Sequence, residues 1–192
     1  MRCFIAIDYP DEVLKKVVEI IHQLSSSLPP RSVRWVSESN LHLTLKFLGE
    51  IELQQVSQIK DILTDIASAA NPFSFNVLGS GIFPSPARPS ILWIGNSSSD
   101  QMAVLAKEID RAVTPVGILM ESHPFSPHLT IGRVNKQQDA AILRRLSSDF
   151  QKKHIGELGL VQVDRIKLYQ SELRPGGPIY TAIGQYRLGG KE

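Results

Sequence analysis

The chain has 192 residues, 42% of them hydrophobic and 21% charged, with no low-complexity tract or block of like charge, a composition that fits a globular protein with a substantial core. A formal net charge of +2 is too slight for a long duplex footprint and suits a small anionic substrate or a nucleic-acid end. The lone cysteine, Cys3, excludes an internal disulfide and a multi-thiolate metal site, and no apolar run reaches membrane-spanning length, so a cytoplasmic enzyme is expected.

Residues 2–8 read as a first strand, ended by Asp8 and Pro10. Asp11 to about Leu28 is an amphipathic helix carrying Val13, Leu14, Val17, Val18, Ile21 and Leu24, and Pro29-Pro30 stops it. A short strand at about 33–36 precedes a longer one at about 41–48, closed by Gly49. A helix from Leu53 to Ala70 follows, then strands at 73–78 and 91–94 flanking a Gly/Pro/Ser loop from Gly79 to Ser90. The order recurs with a helix at about 100–113, a Pro- and His-rich segment, a strand at about 127–134, and a helix at about 137–153. Strands near 161–170 and 179–188, joined through Arg174-Pro175-Gly176-Gly177-Pro178, end the chain.

The most informative feature is a pattern present twice, Leu41-His42-Leu43-Thr44-Leu45 and Pro127-His128-Leu129-Thr130-Ile131. A strand alternates its side chains between two faces, so each His shares a face with its Thr while Leu41, Leu43, Leu45, Leu129 and Ile131 form the buried face. The histidines stand 86 residues apart (128 − 42), close to half the chain. This predicts an α+β fold of two similar, intertwined lobes in one domain over 1–192, related by a pseudo-two-fold with the two His-Thr strands about a cleft. Two imidazoles can act as base and acid in one reaction, and two hydroxyls can hold charged oxygens, a set that suits a phosphodiester. No metal-binding motif accompanies them, and no cofactor is expected. His22 and His154 carry no partner in sequence, and His123, five residues before His128, is placed to line the same cleft.

The paired His-Leu-Thr motifs resemble those of the 2H phosphoesterases, and within them the chain closely resembles the bacterial and archaeal RNA 2′,3′-cyclic phosphodiesterases, also called 2′-5′ RNA ligases. The likeness extends to Arg2-Cys3-Phe4-Ile5-Ala6-Ile7, Arg34-Trp35-Val36, Asn40 to Glu50, Gly81-Ile82-Phe83-Pro84 with Leu92-Trp93, and Phe125 to Arg133. It implies the bilobal fold, with antiparallel sheet inside and helices outside. It also implies metal-independent hydrolysis of an RNA terminal 2′,3′-cyclic phosphate to a 2′-phosphate, with His128 as base, His42 as acid, and Thr44 and Thr130 on the phosphate oxygens; a monomer is expected, though the sequence itself does not reveal the oligomeric state. Minor reversible 2′-5′ ligation, hydrolysis of small cyclic nucleotides, or RNA-end binding without turnover are the other readings. Phe47 and Arg133, each five residues after its histidine, match positions near the nucleotide in relatives. Strict alternation would turn both away from the histidines, so these assignments require a bulge or strong twist in each strand. Lys46 and Arg88 are further basic residues near the expected cleft.

Overall fold

In a computed structural model, which describes residues 1–97 and 100–190, nine antiparallel strands form one sheet with four α-helices around it. The elements are β1 (Arg2–Ile7), α1 (Asp11–Ser27), β2 (Val33–Trp35), β3 (Leu43–Glu50), α2 (Leu53–Ala69), β4 (Phe73–Ser85), β5 (Arg88–Asn96), α3 (Asp100–Ala112), β6 (His128–Val134), α4 (Ala140–Gln151), β7 (Gly159–Val163), β8 (Arg165–Arg174) and β9 (Gly177–Arg187). Short 3-10 turns lie at Glu38–Asn40 and Thr114–Val116.

The helices form where the apolar spacing demands. Val13, Val17, Ile21 and Leu24 are the buried stripe of α1, and Val56, Ile59, Leu63 and Ala67 that of α2. A capping box between Glu52 and Gln55 starts α2, and the Asp139 carboxylate caps α4 by accepting from the Ile142 amide. Their stripes close on the apolar side of the sheet in one continuous core that includes Ile5, Leu43, Ile94, Leu129 and Leu168.

Strand order is β7-β4-β5-β6-β3-β1-β8-β9, with β2 added beside β6. From the middle outward, β6-β5-β4-β7 mirrors β3-β1-β8-β9, the two-lobed arrangement expected from the repeated pattern. The strands β8 and β9 at the end of the chain join β1 and β3 from its beginning. Only Asp164 separates β7 from β8, although these strands stand near opposite ends of the order, so the sheet curls until its ends approach one another.

Beyond shifts of two or three residues, such as β3 running through Gly49 to Glu50 and α4 starting at Ala140, two regions differ from the sequence reading. Residues 79–90 are not a loop: β4 and β5 form a long hairpin turning at Pro86-Ala87. Gly79, at φ +72°, sits in an irregularity of that ladder, and Gly81 leaves room for the Trp93 ring, which an added Cβ would strike. Pro84 and Pro89 pair with each other near the hairpin's end, where a missing amide costs least. The single strand expected over 161–170 is two, broken at Asp164, because its halves belong to different lobes.

Candidate active site

The lobes meet where β3 and β6 pair at one position, Leu43 opposite Leu129. Both leucines are fully buried. Alternation turns the residues flanking them, His42, Thr44, His128 and Thr130, to the other face. Extending the same antiparallel register by one residue sets His42 across from Thr130 and Thr44 across from His128. Beyond this point the strands diverge, and β2 takes the place beside β6.

A cleft of about 270 Å³ lies over the junction, and His42, Thr44, Phe47, His128, Thr130 and Arg133 all line it. Phe47 and Arg133 reach it through two β-bulges in equivalent places. Between β1 and β3 the register skips Leu45, as Ala6 pairs with Thr44 and Ile5 with Lys46. Between β5 and β6 it skips Ile131, as Trp93 pairs with Thr130 and Leu92 with Gly132. Each bulge buries two consecutive residues, Leu45-Lys46 and Ile131-Gly132, and returns the following residue to the cleft side. Phe47 is accordingly 58% exposed, large for a phenylalanine and incompatible with a core role.

The two imidazoles are held in the same way. His42 Nδ1 lies 2.8 Å from the Asn40 carbonyl, and His128 Nδ1 lies 2.8 Å from the Ser126 carbonyl, in both cases two residues earlier. A carbonyl can only accept, so each Nδ1 carries the proton and each neutral ring presents Nε2 as a base. Aromatic side chains fix the ring planes. Phe4 stacks on His42 with centroids 4.7 Å apart, and the Tyr180 ring meets His42 edge-on at 5.3 Å. Phe83 meets His128 edge-on at 4.9 Å, with Trp93 behind.

The histidines differ at Nε2. Thr44 Oγ1 lies 3.0 Å from His42 Nε2 and, in the neutral ring, donates to it. Among the described residues no side chain bonds Nε2 of His128. Burial is the main influence on His42 and pushes its pKa below the ordinary 6.5. The Asn40 carbonyl and the Asp8 charge oppose that shift, while Arg133 and His128 add to it.

The sequence reading left several contributors unassigned. Phe4, Phe83, Trp93 and Tyr180 buttress the histidines, and the Asn40 and Ser126 carbonyls orient them. His123 does line the cleft, with its Nδ1 2.9 Å from Ser122 Oγ. Lys46 is among the residues lining the cleft, but its side chain is buried and its cation is engaged within the wall, where Nζ lies 2.6 Å from Asp110, 3.2 Å from Glu121 and 2.7 Å from the Leu119 carbonyl. That knot, buried at Lys46 and Asp110 and open at Glu121, ties down the segment 119–126, which supplies the Ser126 carbonyl and part of the cleft lining. Arg88 is not among the residues lining the cleft. Among the described residues, no cluster of three His, Cys, Asp or Glu side chains is arranged to hold a metal ion.

The repeat in the fold has its counterpart among known proteins. The family model of LigT-like phosphoesterases matches twice, over residues 7–93 and 94–180. The chain is similar to the RNA 2′,3′-cyclic phosphodiesterase of Thermotoga maritima, with 38% identity covering 99% of this chain and 97% of that one. It is 30% identical to the protein of the same name from Methanothermobacter thermautotrophicus, over 98% of this chain and 99% of that one. The fold matches the crystal structure of a Thermus thermophilus protein with a TM-score of 0.81 and 25% identity, covering both chains completely. It also matches E. coli LigT complexed with 3′-AMP, with a TM-score of 0.77 and 24% identity over 97% of each chain.

Proposed function

The chain belongs to the LigT-like phosphoesterase family, and on that basis we propose that it hydrolyses the 2′,3′-cyclic phosphate at an RNA end to a 2′-phosphate without a metal ion. The observation that carries the reading is the convergence of two His-Thr pairs, one from each repeat, on one cleft. A cyclic phosphate of this kind requires a 2′-hydroxyl, which makes RNA the substrate rather than DNA.

His128 acts as the base. Its Nε2, unbonded to any described side chain, takes a proton from water as the water oxygen attacks phosphorus. The bond from phosphorus to O3′ breaks, and His42 Nε2 gives its proton to the departing oxygen. The products are a 2′-phosphomonoester and a 3′-hydroxyl. Thr44 and Thr130 donate hydroxyls to the phosphoryl oxygens as charge gathers there.

Burial favours the neutral form of His42, whereas an acid must begin protonated. The substrate resolves the conflict: a phosphodiester anion beside the ring favours imidazolium and frees Thr44 from Nε2 to meet an oxygen. Arg133 and Phe47, returned to the cleft by the bulges, hold the nucleotide by charge and by stacking. A terminal 5′-hydroxyl in place of water would undergo the same displacement, bonding to phosphorus as the P–O3′ bond breaks, and give a 2′-5′ linkage, a minor reaction because water is in vast excess.

Incubation in EDTA with a short RNA ending in a 2′,3′-cyclic phosphate tests the proposal. Conversion to a 2′-phosphate is expected. A 3′-phosphate product, or activity that EDTA abolishes, would contradict it.

A further inference from the structure

A second groove, of about 580 Å³, opens beside the cleft between the Glu38–Asn40 turn and the β8–β9 turn. It shares Asn40 and Tyr180 with the cleft, so the two are contiguous. Its lining combines the Ser37 and Ser39 hydroxyls, the Arg174 side chain, the Gly176-Gly177 backbone and the half-buried Tyr180 ring.

We propose that this groove receives the nucleotide preceding the cyclic-phosphate end of an RNA chain, with its base on Tyr180 and its phosphate at Arg174. The inference deepens the proposed reaction and rests on it. Once a terminal nucleotide fills the cleft, the rest of the chain leaves along an adjoining surface. A basic group, hydroxyl donors and an aromatic ring are the parts from which single-strand sites are built.

Arg174 is available for this contact. Its guanidinium lies 2.9 Å from Glu172, but both side chains are more than half exposed, at 56% and 57%, and such a pair contributes little in water. A phosphate can therefore displace the carboxylate. Groove and cleft are also mechanically joined through Asn40. Its Nδ2 donates to the Pro178 carbonyl at 2.8 Å, while its own carbonyl orients His42. An RNA chain seated against the β8–β9 turn thus presses on the residue that aims the imidazole.

The test compares a nucleoside 2′,3′-cyclic phosphate with a tetranucleotide bearing the same end, using wild type, Arg174→Glu and Arg174→Lys. Wild type should favour the tetranucleotide in kcat/KM, and added salt should narrow that preference. Arg174→Glu should cost the tetranucleotide about tenfold through KM, as loss of one charge-assisted contact does, and leave the mononucleotide unchanged. Arg174→Lys should retain most of the preference. Equal effects on both substrates, or none on either, would overturn the groove. Anisotropy with a labelled tetranucleotide ending in a 2′-phosphate reads the groove separately from turnover. Weaker binding by Arg174→Glu supports it even if the reaction reading fails, and unchanged binding refutes it.

Discussion

Leu43 and Leu129 face each other in the single register pair that joins β3 to β6, and each stands between the His and the Thr of its own repeat. The joint that holds the lobes together is therefore the joint that sets four site side chains against one another. Replacing either leucine with Ala should cost about 2–5 kcal/mol, the range for a fully buried Leu, measured by urea unfolding. Activity on the cyclic phosphate should fall similarly in the two variants, because a shift at either leucine displaces both His-Thr pairs. A variant that loses stability but keeps full kcat would separate the joint from the chemistry.

The bulges at Leu45 and Ile131 predict how the flanking pair behaves. Arg133→Ala should raise KM about tenfold or more, since a charge-assisted contact to an anion is lost, with a smaller effect on kcat. Phe47→Ala should raise KM less and leave stability nearly unchanged, because the ring is mostly exposed. Steady-state kinetics beside thermal unfolding distinguish this from a core role, in which stability would drop first.

Burial of His42 predicts a pH signature. The acid must carry its proton, so kcat/KM should decline as pH rises through a free-enzyme value below 6.5. Bound phosphodiester favours imidazolium, so the corresponding limb in kcat should lie at higher pH. Coincident alkaline limbs in kcat and kcat/KM would show that substrate does not protonate His42.

Lys46 is a buried charge with two acidic partners. Lys46→Met should destabilise by about 3–5 kcal/mol, because Asp110 is left largely buried without its counter-ion. Lys46→Met combined with Asp110→Asn should recover a good part of that loss in urea unfolding. Kinetic defects should follow the disturbance of segment 119–126, whose Ser126 carbonyl orients His128.

Much of this was legible in the residues. The period of two in both His-Thr runs sets the polar pairs on one face, and the spacing of Val13, Val17, Ile21 and Leu24 marks α1 unambiguously. The β4–β5 hairpin was not legible, since Gly79, Gly81, Pro84 and Pro89 have the composition of a loop. They are tolerated in a ladder only because of a bulge, a neighbouring indole and a position at the hairpin's end. The bulges left a faint signal. Gly132 beside Ile131 is compatible with two consecutive buried positions, but Lys46 beside Leu45 disguises the same event in the other repeat. A lysine reads as exposed unless its partner is known, and Asp110 is 64 positions away (110 − 46). The aromatic supports of the histidines come from β1, β4, β5 and β9, which converge only after the sheet has assembled.

The most direct test of the central claim, that two His-Thr pairs act as one unit about a single phosphorus, is a double-mutant cycle on His42 and His128. Turnover of an RNA 2′,3′-cyclic phosphate would be measured for His42→Ala, His128→Ala and the double variant, with binding of the 2′-phosphate product followed alongside. Each single variant should lose about a thousandfold or more in kcat, and the double should be little worse than the poorer single, as groups in one step behave. Product binding should survive in all three. Near-full turnover in either single variant, or two losses that multiply in the double, would contradict a paired acid and base.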